Sequence, residues 1–299
     1  MPELPEVETV RRSLEPLLLG RTFDDVRILD ARLTRPFEPA EVATELQGER
    51  VAAVARRGKY LIVRFESGLV LLVHLRMTGS FFHAPTGAAA DDPHRRAVVR
   101  LDDGSDVVYR DVRRFGTWLV LRADEVARYL AERLGHEPLE RSFTGAALAA
   151  AIEQRRAPIK AVLLDQRTLA GLGNIYVDEA LWHGRIHPLR QARDLARAEV
   201  TALHRGIKRA LSAGIEQQGA TLRDYRRPDG SAGRMQDEFN VYGRDGEPCR
   251  RCGTPIERTR VAGRGTWFCP SCQWLPVGSA YAASSSSSWP PLSRRHSSV

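Results

Sequence analysis

Four cysteines near the C-terminus have the spacing of a metal site. The segments CRRC and CPSC form a C-x2-C-x16-C-x2-C pattern whose ligands would be Cys249, Cys252, Cys269 and Cys272. Four thiolates can surround one Zn²⁺ as a tetrahedron, and such a closed site leaves no coordination position for water. We therefore expect one structural Zn²⁺, with four unrelated reduced thiols as the alternative. Between the pairs, RTRVAGRGTWF predicts a β-hairpin, and the whole module reads as a basic zinc ribbon.

The N-terminus is the second unusual stretch. MPELPEVE places two prolines and three glutamates in the first eight residues, directly before an apolar pattern of helical spacing. Chain ends are usually frayed, so rigid and acidic residues at this position need an explanation. Glu6 and Glu8 fall in the first helical turn, where the helix dipole favours a carboxylate. For Glu8 this effect of the helix dipole is a better explanation than a role in catalysis.

The spacing of apolar residues and the turn signals predict the helices and strands that position these residues. Pro5 suits the first turn of the N-terminal helix, and Gly20 ends it. Seven short β-like runs follow, separated by turn signals such as ESG and DDG, and they predict an antiparallel sandwich or barrel. We place this first domain at residues 1–123.

After about Asp124 the hydrophobic period becomes helical. Five helical stretches predict a second domain at residues 124–240, and its last helix is long and amphipathic. A polar, glycine-rich loop follows that helix at about residues 217–235. The zinc ribbon occupies residues 241–273, and the Ser/Pro-rich residues 274–299 are expected to be a disordered tail.

Composition narrows the class of partner. Lys plus Arg number 45 against 37 Asp plus Glu, which gives a net charge of +8 and a pI near 9.7. Such a basic balance favours a polyanionic partner, although charge alone does not decide it. The sequence has no apolar run long enough for a membrane span and no signal-peptide pattern, so we expect a cytoplasmic protein.

Seven motifs, in order, resemble one family. They are PELPEVE (2–8), RRGKYL (56–61), HLRMTGS (74–80), RRFG (113–116), GLGNIYVDEAL (171–181), VYGRDGEPC (241–249) and GRGTWFCPSCQ (263–273). From about residue 2 to residue 273 the chain is similar to the bacterial formamidopyrimidine-DNA glycosylases, which are related to endonuclease VIII. The resemblance implies an α+β multidomain fold, with an N-terminal antiparallel β-sandwich and flanking helices, a helix–two-turn–helix domain and a C-terminal zinc ribbon.

The resemblance also implies an activity, that of a bifunctional DNA glycosylase and AP lyase. Without Met1, Pro2 presents a secondary amine that can attack C1′ of a deoxynucleotide, expel the base and leave an iminium. The iminium acidifies the C2′ proton, so that the 3′ phosphate can be eliminated. Glu3 is implied as the general acid/base, with Glu6 near the active site. The implied partner is double-stranded DNA with oxidised bases or abasic sites, bound by a monomer associated with the nucleoid.

Two cations are assigned to phosphate by the same resemblance. Lys59 would otherwise be a strand-edge charge, but it matches the lysine that contacts phosphate beside the lesion and assists β-elimination. Arg264 matches the ribbon arginine that clamps these phosphates and assists the second elimination. A cation at either position stabilises charge on the departing phosphate.

An enzyme that acts on a base within a duplex must extrude the nucleotide and fill the gap. Met77, Arg113 and Phe115 match the void-filling residues of the family; core packing is the alternative for Met77 and Phe115. Val112 stands where the family commonly has proline. We therefore expect a less rigid loop and a less well preorganised Arg113.

Further DNA contacts are less specific. The amides at the helix N-terminus in GLGNIYVDEAL, together with Asn174, suit a phosphate, although glycines there need only permit a turn. Arg155, Lys160 and His94 are phosphate candidates for which solvated surface charge is the alternative. The loop at 217–235 corresponds to the family segment that closes over the extruded purine.

Two other functions remain open from the sequence. An endonuclease VIII-like enzyme would prefer oxidised pyrimidines, whereas PELPE, in place of PEGPE, favours oxidised purines. A non-catalytic DNA-binding protein of the same fold is the other alternative. The presence of Pro2, Glu3 and Lys59 argues against it.

Overall fold

The computed structural model of the protein describes residues 1–87, 91–222 and 225–275. Most of the tail predicted to be disordered lies outside the described residues, as do two positions of the predicted loop at 217–235. Among the described residues, no helix combines the length and the apolarity that crossing a membrane requires.

The predicted N-terminal helix is present as Leu4–Leu18 (α1). Pro5 lies in its first turn, where a missing N–H costs nothing, and Gly20 follows its end with a φ of 74°. The helix packs on the sandwich through a buried stripe formed by Val7, Val10, Leu14 and Leu18. This packing fixes the position of the chain end that precedes the helix.

Two four-stranded antiparallel sheets form the sandwich. In chain order the strands are Phe23–Ile28 (β1), Val51–Arg57 (β2), Tyr60–Phe65 (β3), Leu69–His74 (β4), Gly79–Pro85 (β5), Arg95–Leu101 (β6), Ser105–Asp111 (β7) and Thr117–Arg122 (β8). The sheet orders are β1-β6-β7-β5 and β2-β3-β4-β8. In the second sheet Val63 pairs with Val54 on one side and with Leu71 on the other. All three side chains belong to the buried core.

Two elements of this domain were not predicted. Strand β5 begins with Gly79 and ends with Pro85, a composition that is weak for a strand interior but tolerated at a sheet edge, where β5 lies. A short helix, Pro39–Leu46 (α2), buries Val42 and Leu46. Its proline at the start and its i, i+4 apolar pair were usable signals.

Helices dominate the second domain. They are Ala123–Ala131 (α3), Gly145–Ile152 (α4), Ile159–Leu164 (α5), Asn174–Gly184 (α6) and Arg197–Glu216 (α7). Helix α6 packs along α7, and it also contacts the hairpin formed by Glu257–Val261 (β9) and Arg264–Phe268 (β10). The predicted α+β architecture of sandwich, helical domain and ribbon is thereby confirmed.

The core of the sandwich and the core of the helical domain each contain one residue from a segment that belongs mainly to the other domain. Leu4, from the first turn of α1, is fully buried in the core of the helical domain. Tyr225, which follows α7, is buried in the core of the sandwich. The N-terminus is therefore held between the two domains.

Candidate active site

A cavity of about 330 Å³ opens beside the N-terminus. The predicted residues Pro2, Glu6, Met77 and Arg113 line it. The other lining residues are Met1, Thr78, Ile175, Ala220, Leu222, Tyr225 and Tyr242. Cavities that hold small ligands have volumes of roughly 300–1,000 Å³, so this one suits a single heterocyclic base. Pro2 itself is buried.

Glu3 joins the N-terminus to helix α6. Its carboxylate accepts hydrogen bonds from the backbone N–H groups of Ile175, at 3.0 Å, and Tyr176, at 3.4 Å. A Cβ at position 173 would lie 2.4 Å from the Glu3 carboxyl carbon, so a larger residue than Gly173 would displace this carboxylate. The helix N-terminus predicted to bind phosphate therefore holds an internal carboxylate, and these two amides are not free for DNA in this structure.

Glu6 lies at the centre of a buried hydrogen-bond network. Its carboxylate accepts from the N–H of Glu3 at 2.8 Å, the N–H of Ala220 at 2.8 Å and the hydroxyl of Tyr176 at 2.7 Å. Burial raises the pKa of Glu6, and the nearby Glu3 carboxylate raises it further, while these hydrogen bonds oppose the rise. The network links α1, α6 and the segment after α7.

Lys59 lies in the turn between β2 and β3 and is 4% exposed. Burial lowers the pKa of Lys59. The carboxylates of Glu3 and Glu6 counteract this shift, whereas the positive charge of Arg264 adds to it. The predicted catalytic residues Glu3, Lys59 and Arg264 therefore share one electrostatic environment with the supporting residue Glu6.

Arg264 is exposed at the tip of the ribbon hairpin. The carbonyl of the adjacent Gly265 accepts hydrogen bonds from Asn174 Nδ2, at 2.9 Å, and from Lys160 Nζ, at 3.0 Å. The hairpin tip is thus anchored from within the helical domain. Asn174 has a structural contact here, and its binding to DNA stays a prediction.

The expectation that Lys160 contacts phosphate is wrong for this structure. Its side chain is fully buried, forms a 2.7 Å ion pair with Asp178 and donates to Thr266 Oγ1 at 2.8 Å. Burial raises the pKa of Asp178 to about 7 and lowers the pKa of Lys160, and the attraction within the pair opposes both shifts. Lys160 therefore supports the hairpin from behind.

Asp111 organises the loop that carries Arg113 and Phe115. Its carboxylate accepts from the N–H of Gly116 at 2.7 Å and from the N–H of Arg113 at 3.2 Å, and Thr78 donates its hydroxyl to it. These hydrogen bonds hold the loop that contains Val112, and its lower rigidity relative to a loop with proline stays a prediction.

Phe115 is 51% exposed, so the core-packing alternative is wrong for this residue. The guanidinium carbon of Arg113 lies 4.8 Å from the centre of its ring, a cation–π arrangement. Met77 is half-buried and lines the cavity. Met77 and Arg113 therefore line the cavity, and Phe115 contacts Arg113.

His94 and Arg155 are not among the residues that line this cavity. His94 precedes β6 and donates its backbone N–H to Asp92 at 2.8 Å. Arg155 pairs with Asp165 at 3.0 Å and donates to Thr168 Oγ1 at 2.9 Å. Their contact with phosphate stays a prediction.

The segment after α7 passes over the cavity; we call its described residues, 217–222 and 225–235, the lid segment. Its two ends are joined by hydrogen bonds from the Arg234 N–H to the Gln217 carbonyl, at 2.9 Å, and from the Met235 N–H to the Gly219 carbonyl, at 3.0 Å. Ala220 then reaches Glu6, as described above. The lid segment thereby contributes part of the cavity wall.

The four cysteines form a metal site. Their sulfur atoms lie within 4.8 Å of one another, and the Cys252 and Cys269 sulfurs are 3.5 Å apart. A tetrahedral site with Zn–S bonds of about 2.3 Å needs sulfur–sulfur distances of about 3.8 Å, so the cluster fits one Zn²⁺. The predicted structural zinc is confirmed by this geometry together with the zinc-finger family match given below.

Sequence reasoning missed Asp111, Tyr225 and Tyr242. Tyr242 is placed at the cavity by Glu179, whose buried carboxylate accepts from the N–H groups of Asn240, Val241 and Tyr242 at 2.9 to 3.0 Å. Asp111 adjoins the motif RRFG, and Tyr242 lies within VYGRDGEPC, so both were close to recognised signals.

Comparison with known families gives three matches in chain order. Residues 1–118 match the formamidopyrimidine-DNA glycosylase N-terminal domain, and residues 134–226 match the formamidopyrimidine-DNA glycosylase H2TH domain. Residues 246–273 match the zinc finger found in FPG and IleRS.

Individual proteins agree with these matches. The formamidopyrimidine-DNA glycosylase of Chloroflexus aggregans is 48% identical over 277 residues, covering 92% of this chain and 99% of its own. A Lactococcus lactis FPG mutant in complex with Fapy-dG-containing DNA has a TM-score of 0.86 at 38% identity. The match covers 92% of this chain and 100% of that chain. The complex of Lactococcus lactis Fpg with DNA containing an abasic site has a TM-score of 0.85 at 38% identity. The match covers 91% of this chain and 100% of that chain.

Proposed function

The chain belongs to the formamidopyrimidine-DNA glycosylase family, and from this premise we propose that its cavity receives an oxidised purine extruded from DNA. The protein is a DNA glycosylase and AP lyase of base-excision repair. The observation that carries the proposal is the position of Pro2 at a base-sized cavity, next to the buried pair Glu3 and Glu6.

The Pro2 amine is proposed to be the nucleophile. Its nitrogen bonds to C1′ as the bond between C1′ and the base breaks, and the proton that the amine gives up leaves with the base. The C1′–O4′ bond then breaks with protonation of O4′, which opens the sugar and leaves an iminium. Glu3, held beside the amine by the helix α6 amides, is suited to shuttle protons during sugar opening. Loss of the C2′ proton from the resulting iminium expels the 3′ phosphate, and a second elimination expels the 5′ phosphate.

Lys59 and Arg264 are proposed to act on the phosphates. Both charges are close enough to influence one another, and Arg264 is exposed at the hairpin tip. Cations in these positions stabilise the charge that develops on each departing phosphate. The structural Zn²⁺ contributes by maintaining the ribbon frame that carries Arg264.

Met77, Arg113 and Phe115 are proposed to occupy the space left by the extruded nucleotide. The exposed ring of Phe115 suits insertion between base steps, and a guanidinium can hydrogen-bond the unpaired base. We propose Asn174, His94 and Arg155 as further contacts to DNA. The working state is proposed to be a cytoplasmic monomer at the nucleoid.

The deciding experiment uses a duplex with 8-oxoguanine opposite cytosine, with and without borohydride. We expect base release, strand cleavage by β,δ-elimination, and a covalent protein–DNA complex when borohydride reduces the iminium. A matched duplex with an oxidised pyrimidine tests the alternative substrate class, which faster excision from that duplex would favour. Binding without excision or trapping on either duplex would identify a non-catalytic DNA-binding protein.

A further inference from the structure

We propose that Tyr225 is a positioning residue that fastens the lid segment to helix α1 and thereby holds Glu6 in place for base excision. The inference rests on the proposed function of the cavity. It concerns a residue of the lid segment that packs in the core of the other domain.

The burial of Tyr225 is the first observation. Tyr225 is 8% exposed, and its ring belongs to the core of the N-terminal sandwich although the chain reaches it from α7. Leu222, three residues earlier in the same segment, is 51% exposed. Removing an aromatic ring from water stabilises its contact with the core, so this burial anchors the segment at Tyr225.

The hydroxyl of Tyr225 gives the second observation. It lies 3.4 Å from the backbone carbonyl of Glu6 and 3.3 Å from that of Gln218, and it is oriented to donate to either. One carbonyl belongs to the first turns of α1 and the other to the start of the lid segment. Tyr225 therefore connects the lid segment to the helix that follows Pro2.

The path of the backbone beside this tyrosine is the third observation. Gly219 has a φ of 83°, and a Cβ there would lie 2.8 Å from Glu6 Cγ and 3.1 Å from Tyr225 Cε1. The lid segment thus passes tightly between the ring and the carboxylate. Directly after it, the Ala220 N–H donates to Glu6 Oε1, while Glu6 Oε2 accepts from the N–H of Glu3.

These contacts form a continuous chain from the lid segment to the residues beside the nucleophile. With Tyr225 seated, Ala220 is held against Glu6, and Glu6 in turn orients the backbone of Glu3. Without the Tyr225 ring, the lid segment is no longer anchored in the core of the sandwich. The hydrogen bond from the Ala220 N–H to Glu6 is then no longer held in place. Excision of a base that must be enclosed should suffer, whereas cleavage at a site without a base should not.

The test uses Tyr225→Ala and Tyr225→Phe, with Tyr129→Ala and Tyr129→Phe as matched controls. Tyr129 lies on α3 in a separate cluster with Tyr60, away from the cavity. Single-turnover rates are measured on a lesion duplex and on a preformed abasic site. For Tyr225→Ala we expect excision to fall about tenfold or more and abasic cleavage to stay within about twofold. Tyr225→Phe keeps the ring and should recover most of the loss, and the controls should change neither rate.

Hydrogen exchange of the free protein provides a readout that needs no activity. Tyr225→Ala should speed exchange across the lid segment about tenfold or more, with α6 unchanged. Equal losses on the two DNA substrates, or unchanged exchange in the lid segment, would overturn the positioning role. If the wild-type protein acts on no lesion at all, the proposed function fails, while the exchange result still decides whether Tyr225 fastens the lid segment.

Discussion

At the residue scale, the arrangement around Pro2 explains why an N-terminus should be rigid and acidic. Both carboxylates, of Glu3 and of Glu6, accept hydrogen bonds from N–H or hydroxyl donors of other elements, and these bonds orient them without any substrate. The types of these residues could be predicted from the sequence because they occur within one short motif. Their partners Tyr176 and Ala220 could not, since they approach from distant elements.

The first prediction concerns the identity of the nucleophile. An acylated proline nitrogen is an amide and cannot attack C1′, so only protein lacking Met1 should be trapped on DNA by borohydride. Peptide mapping by mass spectrometry should place the adduct on Pro2. Glu3→Gln is the control, because it keeps the amine and should still be trapped on abasic DNA. An adduct on Lys59, or equal trapping of protein that retains Met1, would contradict the assignment.

The second prediction is a pH dependence that arises from Lys59. Because burial lowers the pKa of Lys59 below the ordinary 10.5, its positive charge is lost as the pH rises through the lowered value. Abasic-site cleavage should therefore decline on the alkaline side below pH 10.5. Lys59→Arg should move that decline upward, since a guanidinium keeps its proton beyond pH 12. Identical alkaline limbs in pH–rate profiles of both proteins would exclude Lys59 as the titrating group.

Lys160 shows what the sequence alone could not establish at this scale. A lysine near a predicted helix start is ordinarily a solvated charge, and its own segment does not contain the partner that buries it. Asp178 and Thr266 come from two other elements. Only the tertiary structure brings the three together.

At the element scale, the loop between β7 and β8 should act in extrusion of the nucleotide and not in bond breaking. Phe115→Ala removes an exposed ring whose loss leaves no core cavity. We expect excision from an intact duplex to slow by about tenfold or more, with cleavage at a preformed abasic site nearly unchanged. Single-turnover assays on the two substrates measure this. Equal losses on the two substrates would contradict a role of Phe115 in extrusion.

The zinc ribbon supports a prediction about DNA affinity. Cys269→Ser removes one ligand of the Zn²⁺ site and should loosen the hairpin that presents Arg264. Zinc content should fall, and affinity for an abasic duplex should drop about tenfold, as measured by fluorescence anisotropy. Ser271→Ala, within the ribbon but outside the ligand set, is the control. Full affinity in zinc-free protein would show that the ribbon needs no metal frame.

Elements with strong local signals were predictable, and weak ones were not. Helix α1, the inner strands and the ribbon combine periodicity with clear end signals. Strand β5 was missed because its edge position relaxes the usual composition of a strand. The boundaries at residues 123 and 240 stay predictions.

At the scale of the whole molecule, the tail should be dispensable. The family matches end at residue 273, and the residues beyond about 277 are rich in serine and proline without a periodic apolar pattern. Truncation after residue 277 should leave cleavage at moderate salt within about twofold of the full chain. Arg294 and Arg295 could add only nonspecific attraction, which lowering the salt would reveal. Abolished cleavage at moderate salt would assign the tail a function.

The attachment of Glu3 to helix α6 has a consequence for how the enzyme comes into being. A ribosome first makes the end of the chain that carries the proposed nucleophile, but the amide of Ile175 that holds Glu3 is synthesised 172 residues after Glu3. Leu4 likewise can be buried only after the helices that form the core of the helical domain have been synthesised. A nascent chain that ends before helix α6 therefore carries Pro2 without the contacts that hold Glu3, and these contacts can form only after residue 176 has been made.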